Sequence, residues 1–205
     1  LLQIIMLTLT TVVVMLVAGF KRENGLVNVL TTAGLAASLL VFVFVDPVLP
    51  LQATKLLSFD EYSLFFSALI ILWALSVSIL AYTYFESHNS HNEEFYILLM
   101  TATLGAVVLA CSTHFVSFFI GMEMLGVSLY AMIAYPVHAE KSAKFPLEAA
   151  LKYLIMSGLT SGLMLFGIAL IYALTGTMFF NEIAPAIETQ DVASSPVLIA
   201  AWLMI

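Results

Sequence analysis

The chain has 205 residues, of which 62% are hydrophobic and 9% charged, and its mean hydropathy is +1.09. Soluble domains typically carry about 25% charged residues, so this composition excludes a soluble fold and reads as an all-α, polytopic transmembrane bundle in one membrane domain, residues 1–205. The net charge of −7 sits on a membrane protein and is no argument for a nucleic-acid partner; the lipid bilayer is the expected surrounding.

Taken in order, the apolar runs are Leu1 to Phe20, Leu26 to Val45, Tyr62 to Phe85, Phe95 to Ser112, Phe115 to Val137 and Leu147 to Thr175. Each reaches the roughly 17 to 25 residues that a helix needs to cross a bilayer, and the last is long enough to tilt or to begin among the headgroups. A seventh run starts at Val197 and stops at Ile205. At about 1.5 Å per residue it covers about half of the hydrocarbon, so the chain reads as truncated at its C-terminal end, and the missing initial Met as a start slightly inside the gene product. No secretory signal is legible in LLQIIMLTLT, which lacks a basic leading region.

The connections alternate in charge. One side collects Lys21, Arg22, the acidic Glu86 to Glu94 loop, Lys141 and Lys144; the other collects Asp46, Lys55, Asp60, Glu61, Glu182, Glu188 and Asp191. The excess of Lys and Arg places the first side in the cytoplasm and the N-terminus in the periplasm. Tyr82, Tyr84 and Tyr135 are then expected as aromatic anchors at the inner interface, and Phe59, Tyr62 and Phe115 at the outer one.

The first three spans carry no charge and offer no legible chemistry. Spans five and six are richer in small residues: Ser117 and Gly121 stand four apart, as do Gly158 and Gly162 in SGLTSG. This spacing is expected to bring helix backbones close together.

One carboxylate, Glu123, lies in the middle of FFIGMEMLGVSLYAMIAY. A charge at a helix centre costs roughly 2.5 to 3.5 kcal/mol on insertion scales, so such a group normally faces protein or water and marks an ion or proton pathway. Helical periodicity puts Gly126, Val127 and Tyr130 on its face, with room for water beside the carboxyl group. A protonated Glu that hydrogen-bonds across a helix pair is the structural alternative.

Lys152 is the second intramembrane charge, at a depth of about 8 Å in span six and shallow enough to snorkel. Glu148 precedes it by one turn in the favoured order for a local ion pair, so that pair and a place in a proton path stand as equal readings. Glu123 and Lys152 differ in depth by roughly 10 Å, which rules out direct contact unless water connects them, or else leaves the partner of Glu123 elsewhere.

The remaining groups are weaker signals. His114, at the outer end of span five, reads either as a proton exit or as a helix-end group. His88 and His91 with Glu86, Glu93 and Glu94 lack the spacing of a metal site, and His138 reads as solvated. The lone Cys111 offers no disulfide, and no Gly-rich phosphate loop, nucleophile elbow or CxxC is present. The chain therefore supports neither hydride chemistry nor iron–sulfur ligation of its own.

The stretches EEFYILLMTATLGAVVLACSTHFVSFFIGMEMLGVSLYAMIAYP and LEAALKYLIMSGLTSGLMLFGIALIYALTGT carry a resemblance. They resemble the N-subunit family of bacterial proton-pumping NADH:quinone oxidoreductase, respiratory complex I, whose antiporter-like membrane subunits are similar to those of multisubunit Na⁺/H⁺ antiporters. The resemblance implies a multi-pass protein of the bacterial inner membrane that is a subunit of the translocase. Its partners would be other membrane subunits of complex I, and NADH, FMN, iron–sulfur clusters and quinone would be bound in other subunits, with no cofactor or metal on this one. It further implies that Glu123 matches the family's fifth-helix glutamate, thought to modulate a channel lysine, and that Lys152 matches a sixth-helix lysine. The central channel lysines would lie on the seventh and eighth helices, past Ile205. A cation/proton antiporter subunit and a non-catalytic membrane anchor remain as alternatives.

Overall fold

The computed structural model describes residues 2–20, 23–44, 51–86, 93–135, 144–189 and 195–205. Its elements are α1 (Leu2–Phe20), α2 (Asn24–Phe44), β1 (Leu51–Thr54), β2 (Leu57–Phe59), α3 (Glu61–Glu86), α4 (Glu93–Ala110), α5 (Phe115–Ala134), α6 (Lys144–Thr175), α7 (Phe180–Thr189) and α8 (Pro196–Met204). Among the described residues, α1 to α6 are long and apolar enough to cross a membrane. They coincide with the six expected spans because an uninterrupted apolar run in lipid satisfies its backbone only as a helix.

Helices α1 to α4 pack around a core of Leu7, Leu35, Ile71, Met100 and Val107. Helix α4 is the central member, touching α1, α2, α3 and α5, and half of its span is buried. Several polar residues turned inward are tied: the hydroxyls of Thr11, Thr31, Ser38 and Thr103 donate to carbonyls one turn back, and Asn28 donates across from α2 to the Tyr96 hydroxyl of α4 at 3.0 Å. Helix α5 carries the bundle across to α6, and the C-terminal half of α6 packs on α7 and α8 through Ile168, Ile171, Ile183 and Leu198.

Helices α4 and α5 bring their backbones very close together. A Cβ at Gly121 would stand 2.8 Å from the Leu109 amide nitrogen and 3.0 Å from the Gly105 carbonyl oxygen, and a Cβ at Gly105 would stand 2.8 Å from the Leu125 nitrogen. Only hydrogen fits there, which is how small residues bring membrane helices together. A hydrogen bond of 2.9 Å between the Thr101 and Ser128 hydroxyls adds to the same seam. The expected close packing at Ser117 and Gly121 is thus present, whereas Gly158 and Gly162 face open space on an exposed stretch of α6. Helix α6 ends at Gly176, whose φ of +73° is the left-handed conformation that stops a helix at low cost in glycine.

At one end of the bundle the loops form a hydrogen-bonded cap absent from the hydropathy reading. Strands β1 and β2 pair antiparallel, Leu51 opposite Phe59. The Ser58 amide then donates to the Cys111 carbonyl at 3.0 Å, and the Thr113 amide to that of Leu56 at 3.1 Å. On the other side the Phe115 amide donates to Met178 at 3.0 Å, and that of Phe180 to Thr113 at 3.1 Å. Asp60 opens α3 with a reciprocal cap, its carboxylate accepting from the Ser63 amide at 2.7 Å while its own amide donates to the Ser63 hydroxyl at 2.9 Å. Phe59 and Phe115 are buried under this cap, 3% and 4% exposed. They serve as core rather than as the expected interfacial anchors; Tyr62, Tyr82 and Tyr84 are exposed as anchors should be. Lys21, Arg22, Asp46, His88, His91, His138, Lys141 and Asp191 lie outside the described residues, as does the side chain of Lys144.

Candidate functional site

Helix α5 has two working faces. Ser117, Gly121 and Ser128 are buried against α4 and its neighbours, and Glu123, Gly126 and Tyr130 line the seam with α6. Three contacts fix the antiparallel register of that seam. Ser161 donates a hydrogen bond to Glu123 Oε1, a Cβ at Gly126 would lie 3.8 Å from Ser157 Oγ, and the rings of Tyr130 and Tyr153 stand 6.5 Å apart. Val127, expected on this face, is turned outward and 47% exposed, because a four-residue step carries it to the far edge of the stripe.

Glu123 is partly buried eight residues from the start of α5, about 12 Å down its axis and close to mid-span. Its partner is Ser161, which the sequence reading missed by attending to the glycines that flank it. The available signal was Ser157 and Ser161, a serine pair one turn apart on the helix after the one that bears the carboxylate.

Lys152 and Glu148 form the local ion pair, with side chains 73% and 58% exposed. Nine residues separate Lys152 from Ser161, about 13 Å along α6, so the lysine is held well below the carboxyl group it does not touch. Tyr130 and Tyr153 lie between the two levels. His114 is not near Glu123. It caps α5: Nδ1 accepts from the Val116 amide at 3.1 Å, and its ring stands edge-on to Phe179 at 4.6 Å. The helix-end reading describes that geometry. At the opposite end of α5 the Tyr135 hydroxyl donates to Glu94 at 3.1 Å; burial, with the Glu94 charge second, holds the phenol well above its usual range. Among the described residues no three His, Cys, Asp or Glu side chains converge as metal ligands.

A bundle of membrane-spanning helices that keeps one carboxyl group at half depth, hydrogen-bonded across a helix seam, defines a class of polytopic membrane protein with an ionisable group in its interior. Residues 112–205 match the family described as NADH:quinone oxidoreductase/Mrp antiporter, transmembrane, and the whole chain is 42% identical to NADH-quinone oxidoreductase subunit N of Methylococcus capsulatus. The chain is thus similar over residues 112–205 to this family of antiporter-like membrane subunits and along its whole length to a part of subunit N, spanning 40% of the length of that relative. The solved respiratory complex I from Thermus thermophilus with bound aureothin contains a similar chain, with a TM-score of 0.79 and 26% identity over 98% of this chain and 42% of that one. An archaeal respiratory membrane complex, the membrane-bound sulfane sulfur reductase, shares the fold with a TM-score of 0.72 and 21% identity, over 100% of this chain and 42% of that one.

Proposed function

We propose that the chain is part of the membrane arm of a proton-translocating NADH:quinone oxidoreductase, and that it contributes Glu123 to a proton channel driven by quinone reduction in other subunits. The observation that carries this reading is Glu123 itself, held at half depth on the α5–α6 seam in a chain 42% identical along its whole length to subunit N. An intramembrane acid that faces a helix seam rather than lipid is where a proton can be taken up and released. Tyr130 lies along the same seam, toward the end of α5 that the charge pattern assigns to the cytoplasm; the Glu148–Lys152 pair is on an exposed face of α6 near that end, and His114 marks the periplasmic end. The N-terminus is periplasmic in this orientation, the membrane is the bacterial inner membrane, and the partners are other membrane subunits of the complex. NADH, FMN, iron–sulfur clusters and quinone belong to those other subunits.

The test is Glu123→Ala in the complete subunit within the assembled enzyme. Quinone reductase activity and proton pumping are expected to fall while assembly, followed on native gels, is retained; undiminished pumping would sink the assignment. The second reading, a subunit of a multisubunit cation/proton antiporter, is favoured by the family description that joins the two systems. Cells lacking the subunit lose NADH-linked quinone reduction on the first reading and Na⁺ tolerance on the second.

A further inference from the structure

We infer that Ser161 is the positioning residue of Glu123, the hydroxyl that holds its carboxyl group on the α6 side of the seam in both protonation states; the inference rests on the proton role proposed for Glu123. Hydroxyls on membrane helices ordinarily turn back to a carbonyl of their own helix. Thr160, the neighbour of Ser161, does so, donating to the Met156 and Ser157 carbonyls at 3.1 and 2.8 Å, as does Thr175 to Ile171 at 2.8 Å. Ser161 instead donates across the seam to the carboxyl group. It is 8% exposed, on a helix whose residues 158–160 and 162–163 are all exposed, so the contact with α5 is what covers it.

The chemistry of the pair suits a group that gains and loses a proton. A serine hydroxyl donates to a carboxylate, and after a rotation about its C–O bond it accepts from a carboxylic acid. The oxygen of Glu123 that faces Ser161 then keeps a partner in either state, where losing one would be costly in a membrane interior. The register confines the carboxyl group as well. Gly126 leaves the space beside Ser157 open, and the Tyr130–Tyr153 contact closes the seam below it. Alanine at 161 removes the one hydroxyl that fixes the orientation of the acid, while the seam keeps its helix contacts.

The experiment uses the complete subunit in the assembled complex, with Ser161→Ala, Ser161→Thr, Ser161→Cys and Glu123→Ala. Infrared difference spectra identify the Glu123 carboxyl band by its loss in Glu123→Ala. In Ser161→Ala that band is expected to shift and pumping to fall about tenfold, the size that follows from losing a hydrogen bond to a charged group. Ser161→Thr should restore both, and Ser161→Cys, a weak donor of similar size, should fall between. An unmoved band with full pumping in Ser161→Ala, a loss of pumping with the band in place, or a Thr variant that behaves like Ala would each overturn the inference. Should Ser161→Ala not assemble, a Cys variant indistinguishable from the parent would overturn it equally. Full pumping in Glu123→Ala points instead to failure of the proton role itself, a result the band shift in Ser161→Ala does not depend on.

Discussion

Gly121→Ala is the sharpest test of how the site is held. The added methyl carbon would lie 2.8 Å from the Leu109 nitrogen, 3.0 Å from the Gly105 oxygen and 3.1 Å from the Leu109 Cα, all backbone atoms of α4 that no side-chain rotation can move. Reaching ordinary contact distances requires α5 to back away from α4 by roughly 0.6 Å, and overpacking of this kind costs about 1–3 kcal/mol. A loss of about 2 kcal/mol lowers the unfolding midpoint of a chain of this size by about 4–8 °C. The displacement also stretches the Thr101–Ser128 bond from its present 2.9 Å, and it pushes the helix that carries Glu123, two residues on, toward α6. Thermal unfolding of the detergent-solubilised complex, followed by loss of assembly on native gels, reads the first effect and proton pumping the second. Gly126→Ala is the control on the other face: its Cβ would meet Ser157 Oγ at 3.8 Å, an ordinary contact, and should change neither. A Gly121→Ala complex with the parental midpoint and full pumping would refute the claim that the α4–α5 backbone contact sets the position of the site.

Glu148→Ala and Lys152→Ala are expected to act alike, since the two side chains hold each other at the exposed edge of α6, and the double variant should change pumping no more than either single one. A Lys152→Ala loss well beyond that of Glu148→Ala would give the lysine a role of its own. At the start of α3, the Ser63 amide holds the Asp60 carboxyl below its ordinary range, so the cap stabilises the fold while the group is ionised. Its contribution is present above the usual Asp value of about 3.9 and is lost as the pH falls through the lower folded value. Asp60→Ala should therefore cost about 1 kcal/mol at neutral pH and progressively less toward pH 3, whereas Asp60→Asn should match the parent at neutral pH and lack its loss of stability toward pH 3. A pH-independent loss would show that the carboxylate is not what caps the helix.

The six spans were legible because the hydrocarbon core sets a length that the sequence must meet, and hydropathy measures it directly. Glu123 was legible for the same reason: a charge stands out against an apolar run. What escaped were features fixed by contacts between distant segments. The β1–β2 hairpin is two short, leucine-containing strands whose edge pairs with Ser112 and Thr113, and strands this short give no usable alternation. Helix α7 is ten residues long with Pro185 inside it, so its local signals read as a loop. Ser161 escaped because its role depends on the α5–α6 register, and a hydroxyl in a small-residue run looks like packing. Depth arithmetic alone did separate Glu123 from Lys152, leaving either water between them or a partner elsewhere. The same periodicity overreached at Val127, which a helix wheel cannot distinguish from a seam residue until the neighbouring helix is in place.

The cap over the N-terminal end of α5 has a mechanical consequence. The residues that open the helix are tied on one flank to the β1–β2 hairpin and on the other to the segment leading into α7, so that end is clamped between two partners. A rod clamped at one end moves most at the other. For any small tilt about His114, the displacement at Tyr130 is about 1.8 times that at Glu123, since they stand roughly 24 Å and 13 Å along the axis from the clamp. Motion applied at the C-terminal end of α5, about 30 Å from the clamp, therefore arrives at the acid reduced by somewhat more than half, and the helix behaves as a lever with Glu123 on its short arm.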